Sequence, residues 1–247
     1  MQEVYSKESM KIIKNEKLIN RNAKFGLYAS LLGLVAMGVS LYFVSPTFKG
    51  TTSVTQTSIL FVAVVVSLIL TQVSFYFGNR FGRRPRPDEL LDNALKGTPG
   101  EYSIYHHSAV VPHLLVGPSG LWVLLPIRQK GKAAFVNDRW KASGGGVIQA
   151  YMRIFAQESL GRPELEAQHQ MNRLTKFLQE KLGDAPLPGI NAALVFLDPA
   201  LEIQAEGSPV PAMHLKKLKE FIRKSPKERA LNAGDIEKLR AVIEQST

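Results

Sequence analysis

The stretch Val111–Gly131, VPHLLVGPSGLWVLLPIRQKG, decides the fold. Two apolar runs of strand length flank the sequence GPSG at 117–120, and this arrangement predicts a β-hairpin. A two-residue loop with Gly117 facing Gly120 would place Pro112 opposite Leu125. The hairpin therefore makes a register prediction that a structure can test.

The same stretch resembles the core of the nuclease-related domain (NERD), a branch of the PD-(D/E)-x-K nuclease superfamily. That core usually reads I-D-H-V-V-V-G-P-S-G-V-F-V-I-E-T-K-x-x-x-G. The positions that match it here are Val111, His113, Val116, Gly117, Pro118, Ser119, Gly120, Val123 and Gly131. The resemblance is specific in this stretch and loose over the rest of 89–224. It implies a restriction-endonuclease-like mixed sheet flanked by helices.

The residues that carry catalysis in that family are replaced in this chain. The resemblance assigns the metal-binding aspartate to Pro112, the glutamate to Leu125 and the lysine to Ile127. In the family, two acids held across the hairpin bind Mg²⁺, which polarises a phosphodiester and activates a water. Proline, leucine and isoleucine cannot do this, so we expect no nuclease catalysis, no metal and no cofactor.

One acid of the family pattern remains, Glu89, in a predicted helix from Asp88 to Lys96. It is either a remnant of the family's helix glutamate or an ordinary first-turn acid favoured by the helix dipole. A nuclease with a relocated site would need Glu89 together with Glu164 or Glu166, and Lys130. Such a site requires a second carboxylate within about 6 Å of Glu89, because Mg²⁺ takes several oxygen ligands.

Two uncharged apolar runs, Phe25–Val44 and Ser58–Phe77, precede this region. Twenty helical residues span a bilayer core of about 30 Å, so the runs predict transmembrane helices at about 25–45 and 58–78. Small residues spaced four apart, such as Ala29 and Gly33, would let the two helices pack closely.

Basic residues are concentrated around these runs. Residues 1–86 hold 11 Lys and Arg against 3 Asp and Glu, whereas residues 87–247 hold 20 against 18. The residues expected at the membrane interface are Lys24, Arg80, Arg83, Arg84 and Arg86. By the positive-inside rule, both termini are cytoplasmic in a two-span protein of the inner (plasma) membrane, and the basic residues face anionic lipid headgroups.

The sequence therefore predicts four regions in a membrane-anchored α/β protein. Residues 1–24 form a basic cytoplasmic segment, either an interfacial helix or a solvated tail. Residues 25–78 form a transmembrane hairpin, and residues 79–86 form a basic linker. Residues 87–247 form a cytoplasmic nuclease-related-like domain, which includes an amphipathic segment at 147–160.

Further elements follow from hydrophobic periodicity and helix caps. The predicted strands are 102–107, 109–116, 121–127, 190–197 and 201–205, and the predicted helices are 164–182, 212–223 and 232–245. The family resemblance implies a further short strand at 133–137. His106, His107 and His113 do not favour a metal site, because neighbouring histidines on a strand point to opposite faces and no carboxylate is held near them by sequence.

These features favour a membrane-tethered, catalytically degenerate nuclease-related domain that acts as a binding or scaffolding module for a protein partner that the sequence does not identify. The relocated-site nuclease is one alternative. A non-catalytic nucleic-acid binder is another, and the near-balanced charge of residues 87–247 disfavours it.

Overall fold

The structure is a computed structural model that describes residues 9–44, 54–144, 160–183, 185–225 and 231–245. The predicted segment at 147–160 and the connection at 45–57 lie largely outside these residues. The elements in chain order are β1 Lys11–Lys14, α1 Glu16–Val44, α2 Val54–Phe77, α3 Pro87–Leu95, β2 Ser103–His106, β3 His113–Gly117, β4 Gly120–Ile127, β5 Lys132–Val136, β6 Arg139–Ser143, α4 Pro163–Leu182, β7 Ile190–Phe196, β8 Glu202–Gln204, β9 Ala212–His214, α5 Leu218–Lys224 and α6 Ala233–Glu244.

The chain divides into two compact units, and the first is an α/β unit built from residues 1–15, 87–149 and 159–247. Its main sheet has six strands in the order β1-β2-β3-β4-β7-β9, and a smaller sheet has the order β6-β5-β8. The pairs β2/β3 and β3/β4 are antiparallel, whereas β1/β2, β4/β7 and β7/β9 are parallel. The sequence prediction of a mixed sheet with helices is confirmed.

Alternation along the central strands builds a separate core on each face of the main sheet. In β4, Val123 and Leu125 belong to the core that also contains side chains of α4 and α6, whereas Trp122 and Leu124 belong to the core that contains side chains of α3 and α5. The smaller sheet adds Trp140 to the first core, where its ring lies 5.5 Å from that of Phe196. A chain of this length thus buries both faces of one sheet.

The interpretation of the N-terminal segment as a tail or an interfacial helix is wrong for Lys11–Lys14. These residues form the edge strand β1, which pairs in parallel with β2 from Lys11↔Ser103 to Lys14↔His106. The physical reason is that Ile12 and Ile13 are β-branched residues, which favour strands, while the pairing satisfies backbone groups of β2 that would otherwise be unpaired. The apolar helices therefore lie in the chain between a strand and a helix of the α/β unit.

Two boundaries in the α/β unit also differ from the predictions. The strand predicted at 109–116 is observed at His113–Gly117, because Pro112 has no N–H to donate to a neighbouring strand. The helix predicted at 212–223 begins only at Leu218. Ala212–His214 instead extends the main sheet beside Leu194–Phe196, and this pairing outweighs local helix propensity.

The second unit contains α1 and α2 and comprises residues 16–86 and 150–158. Both helices are long and apolar enough to cross a membrane. They pack closely through small residues, since a Cβ added at Gly33 would lie 3.4 Å from Leu70 Cβ and one added at Gly26 would lie 2.9 Å from Phe77 Cβ. Helix α1 begins at Glu16, nine residues before the apolar run, because the polar residues ahead of the run continue the same helix.

Candidate functional site

The hairpin that carries the family resemblance has the predicted register. Gly117 pairs with Gly120, and the ladder continues to Leu114↔Val123. Pro112 and Leu125 lie two positions beyond the last pair, in line with the same register but outside the ladder. The backbone carbonyl of Pro112 instead accepts a hydrogen bond from the N–H of His107 at 2.7 Å.

The glycines of this turn are required by close contacts. A Cβ on Gly117 would lie 2.2 Å from Cδ1 of Tyr102, and Gly120 has φ +93° with the carbonyl oxygen of Gly189 2.8 Å from where a Cβ would be. The indole N–H of Trp122 donates to the Ser119 carbonyl at 3.2 Å. The sequence GPSG therefore has a structural role here that does not depend on catalysis.

Apolar side chains occupy the positions that the resemblance assigns to the nuclease site. Leu125 is 7% exposed and belongs to a hydrophobic core, and Ile127 packs against the same core. Pro112 is half-buried. None of these three side chains offers an oxygen or nitrogen atom to a metal ion or a water.

The residues of the alternative, relocated site have different surroundings. Glu89 is half-buried on α3, and Lys130 is exposed. Glu164 is buried, with Oε1 accepting from Arg162 Nε at 3.1 Å, and Glu166 Oε1 accepts from Gln170 Nε2 at 2.6 Å. Among the residues that the structure describes, no group of three or more His, Cys, Asp or Glu side chains could hold a metal ion.

The basic residues predicted at the membrane interface are mostly on the surface. Lys24, Arg80, Arg83 and Arg84 are exposed, and the Arg80 guanidinium lies 4.3 Å from the centre of the Tyr76 ring. Arg86 differs from the prediction because it is only 8% exposed. The two residues that follow it, Pro87 and Asp88, are also buried.

Among the residues that the structure describes, the α/β unit contains a buried polar arrangement that the sequence analysis did not predict. Lys14, His106 and His113 lie directly opposite one another on β1, β2 and β3. Asp88 and Asp92, one turn apart on α3, supply carboxylates to this row. We call Lys14, His106 and His113 the basic row, and Asp88 and Asp92 its two aspartates.

A continuous set of short contacts joins these five side chains. Lys14 Nζ lies 3.2 Å from Asp88 Oδ2 and 2.5 Å from Asp92 Oδ2. The other oxygen of Asp92 lies 2.9 Å from His106 Nε2, and His106 Nδ1 lies 2.8 Å from His113 Nδ1. His106 is fully buried, and Asp88 and His113 are 2% and 6% exposed.

The charged forms of Lys14 and Asp92 stabilise each other. Burial alone would raise the pKa of Asp92, but hydrogen bonds from His106 and Lys14 outweigh burial and hold this pKa below its usual value. Burial alone would lower the pKa of Lys14, but its bonds to Asp92 and Asp88 raise it. Both groups are therefore ionised throughout the pH range in which histidine titrates.

Two premises of the argument against a metal site at the histidines differ from the structure. A carboxylate, Asp92, does lie beside His106. His106 and His107 also do not separate to opposite faces, because His107 has φ +56° beyond the end of β2 and its ring lies 5.0 Å from that of His113. The spacing of Asp88 and Asp92 by one helical turn is the signal that the sequence offers for these carboxylates. Lys14 falls in the segment predicted as an interfacial helix or a solvated tail, so its place in the sheet is not predicted.

Comparison of the chain with protein-family models, with curated proteins and with solved structures gave no significant match. The chemistry of the site is therefore argued from its own residues. The basic row and its two aspartates contain no serine, threonine or cysteine nucleophile. Their side chains can bind protons and exchange them between the adjacent imidazoles.

Proposed function

We propose that this chain is a two-span protein of the inner membrane whose α/β unit is a nuclease-related fold that has lost catalysis. The unit acts as a binding or scaffolding module for a protein partner at the cytoplasmic face. The observation that carries this proposal is the packing of Leu125 and Ile127 into a hydrophobic core, at the two positions where the family's chemistry requires Glu and Lys. Restoring a charged side chain there would cost the core several kcal/mol.

The retained turn supports the same conclusion. Gly117 and Gly120 are needed for the close contacts with Tyr102 and Gly189, so these two glycines of the resembling stretch are explained by folding alone. A fold that keeps its turn and strands while its reactive positions become apolar is suited to presenting a surface. Fold and function are separable in this way because activity depends on a few side chains.

The exposed surfaces of α1 and α2 support membrane insertion. Large apolar side chains are exposed along both helices, among them Leu31, Val35, Leu41, Phe61, Val62 and Ile69. Such continuous apolar surface on a soluble protein would drive aggregation, whereas a bilayer covers it. The exposed Lys24, Arg80, Arg83 and Arg84 flank the two apolar runs in the sequence and fit the anionic headgroups of the cytoplasmic leaflet.

Cysteine labelling tests the membrane topology, because the chain contains no cysteine. We expect Thr51→Cys, in the short connection, to react with a membrane-impermeant maleimide in intact cells. Val136→Cys, exposed in the α/β unit, should react only after lysis. Labelling of Val136→Cys in intact cells would show that the topology is the reverse of the proposed one. Recovery of the protein in the soluble fraction would contradict membrane insertion.

A further inference from the structure

The contact between His106 Nδ1 and His113 Nδ1 fixes how many protons the pair can carry. At 2.8 Å the two nitrogens share one hydrogen, so one nitrogen donates and the other accepts. The neutral pair meets this condition if His106 donates from Nε2 to Asp92 and accepts at Nδ1. A first proton adds an N–H and leaves the shared hydrogen bond intact.

A second proton is not compatible with this contact. Each imidazolium carries an N–H at both ring nitrogens, so two N–H groups would point at each other across 2.8 Å. The shared hydrogen bond is then lost.

The charges around the two histidines also disfavour a second proton. The charged and titratable groups joined to the pair by the contacts above include Lys14 on β1, Asp88 and Asp92 on α3, and His107 after β2. Within the row and its two aspartates, with both histidines neutral, one cation faces two carboxylates, and one added proton balances the charge. A second proton leaves three cations, directly opposite one another on three strands, against two carboxylates. Like charges on directly opposite strand positions destabilise a sheet.

The weakest attachment in this row is β1. It has four residues and, among the strands that the structure describes, it lies at the edge of the sheet and pairs with β2 alone, whereas β2 and β3 are paired on both sides. Strand edges of this kind open locally at a lower cost than the centre of a sheet. Detachment of β1 takes Lys14, one of the three cations, out of the row, so repulsion along the row is relieved first at this strand.

We propose that His106 and His113 form a proton-responsive site that keeps β1 on the sheet while the pair carries at most one proton and releases β1 when acid adds a second. Only Asn15 separates β1 from α1 in the chain. The site thus acts on the segment that leads directly into the first apolar helix, and it gives the α/β unit an acid-dependent change at that end of the chain.

The test uses the full chain in lipid nanodiscs with a single cysteine at Met10. This residue is 7% exposed and packs in the core with Leu91, so a thiol there reacts only when β1 detaches. The rate of reaction with dithiodipyridine is divided by the rate for Val136→Cys, whose exposed thiol corrects for pH. We expect the normalised rate to rise by about tenfold or more between pH 7.5 and pH 5, since each pH unit below a titration can change a one-proton equilibrium tenfold.

His113→Asn is the decisive second change. Its amide can replace Nδ1 as either donor or acceptor, but it does not titrate. In the Met10→Cys background we expect this variant to show less than about a twofold change over the same pH range, while His107→Asn retains most of the response. The proposal would be overturned if Met10→Cys alone showed no pH response, or if adding His113→Asn left the response unchanged.

A measurement without substitutions covers the case in which a variant does not fold. Hydrogen exchange of the Lys11–Lys14 amides, corrected for the intrinsic effect of pH, should lose protection at pH 5 while β7 retains it. Unchanged protection of β1 at pH 5 would contradict the proposal.

Discussion

Replacing Lys14 by Met is expected to lower the free energy of unfolding of the α/β unit by about 3 kcal/mol. Lys14 is the cation that faces Asp88 and Asp92, and its side chain is only 18% exposed. Removal of the ammonium leaves two carboxylates in a poorly solvated site. The free-energy cost of losing one partner of a buried ion pair exceeds the net stabilisation that the intact pair provides. Met preserves the aliphatic packing, so the measured change reports the charge.

Lys11→Met provides a matched control on the same strand. Lys11 pairs with Glu244 at 2.8 Å, but the two side chains are 54% and 40% exposed, so its loss should cost less than about 1 kcal/mol. Urea unfolding followed by tryptophan fluorescence measures both variants in micelles. The chain has two tryptophans, Trp122 and Trp140, and both are buried in the α/β unit, so the signal excludes α1 and α2. Equal losses for the two lysines would show that the buried row does not stabilise the unit.

Gly117→Ala is expected to cost about 2 to 3 kcal/mol by the same fluorescence measurement. The new methyl group would lie 2.2 Å from the ring of Tyr102, which is 8% exposed and cannot move into solvent without losing its packing. The hairpin register depends on this close approach.

The control for this change is Gly189→Ala, because the nearest atom to an added Cβ there is Asn191 Nδ2 at 4.0 Å. We expect it to change stability by less than about 1 kcal/mol. In a Tyr102→Ala background, most of the cost of Gly117→Ala should disappear, since the two side chains are coupled. A cost that persists without the tyrosine ring would mean that an interaction other than this contact requires Gly117.

Local patterns predicted the central part of the fold. The hairpin register followed from GPSG and two apolar runs, and the strand at Ile190–Phe196 followed from a continuous apolar run typical of burial on both faces. The final helix followed from Asn232, whose side chain accepts from the N–H of Asp235. These are interactions between residues close in the chain or strongly constrained by burial.

The remaining features depend on residues far apart in the chain. Lys11–Lys14 pairs with β2 about 90 residues later, and nothing in its basic local sequence indicates that partner. The contact of Asp92 with His106 requires the relative placement of a helix and a strand, and the contact of His107 with His113 requires a left-handed residue at a strand end. Periodicity carries no information on such pairings.

The most direct test of the central claim is nuclease activity of the full-length protein, purified in detergent and shown by tryptophan fluorescence to be folded. Plasmid, single-stranded DNA and RNA are incubated with Mg²⁺ or Mn²⁺, beside Glu89→Ala and a control at the exposed acid, Glu101→Ala. Because Leu125 and Ile127 cannot bind a metal ion or steady a water, we predict no cleavage above that of buffer by any of the three proteins. Metal-dependent cleavage that Glu89→Ala abolishes and Glu101→Ala retains would contradict the account and establish a working site around Glu89.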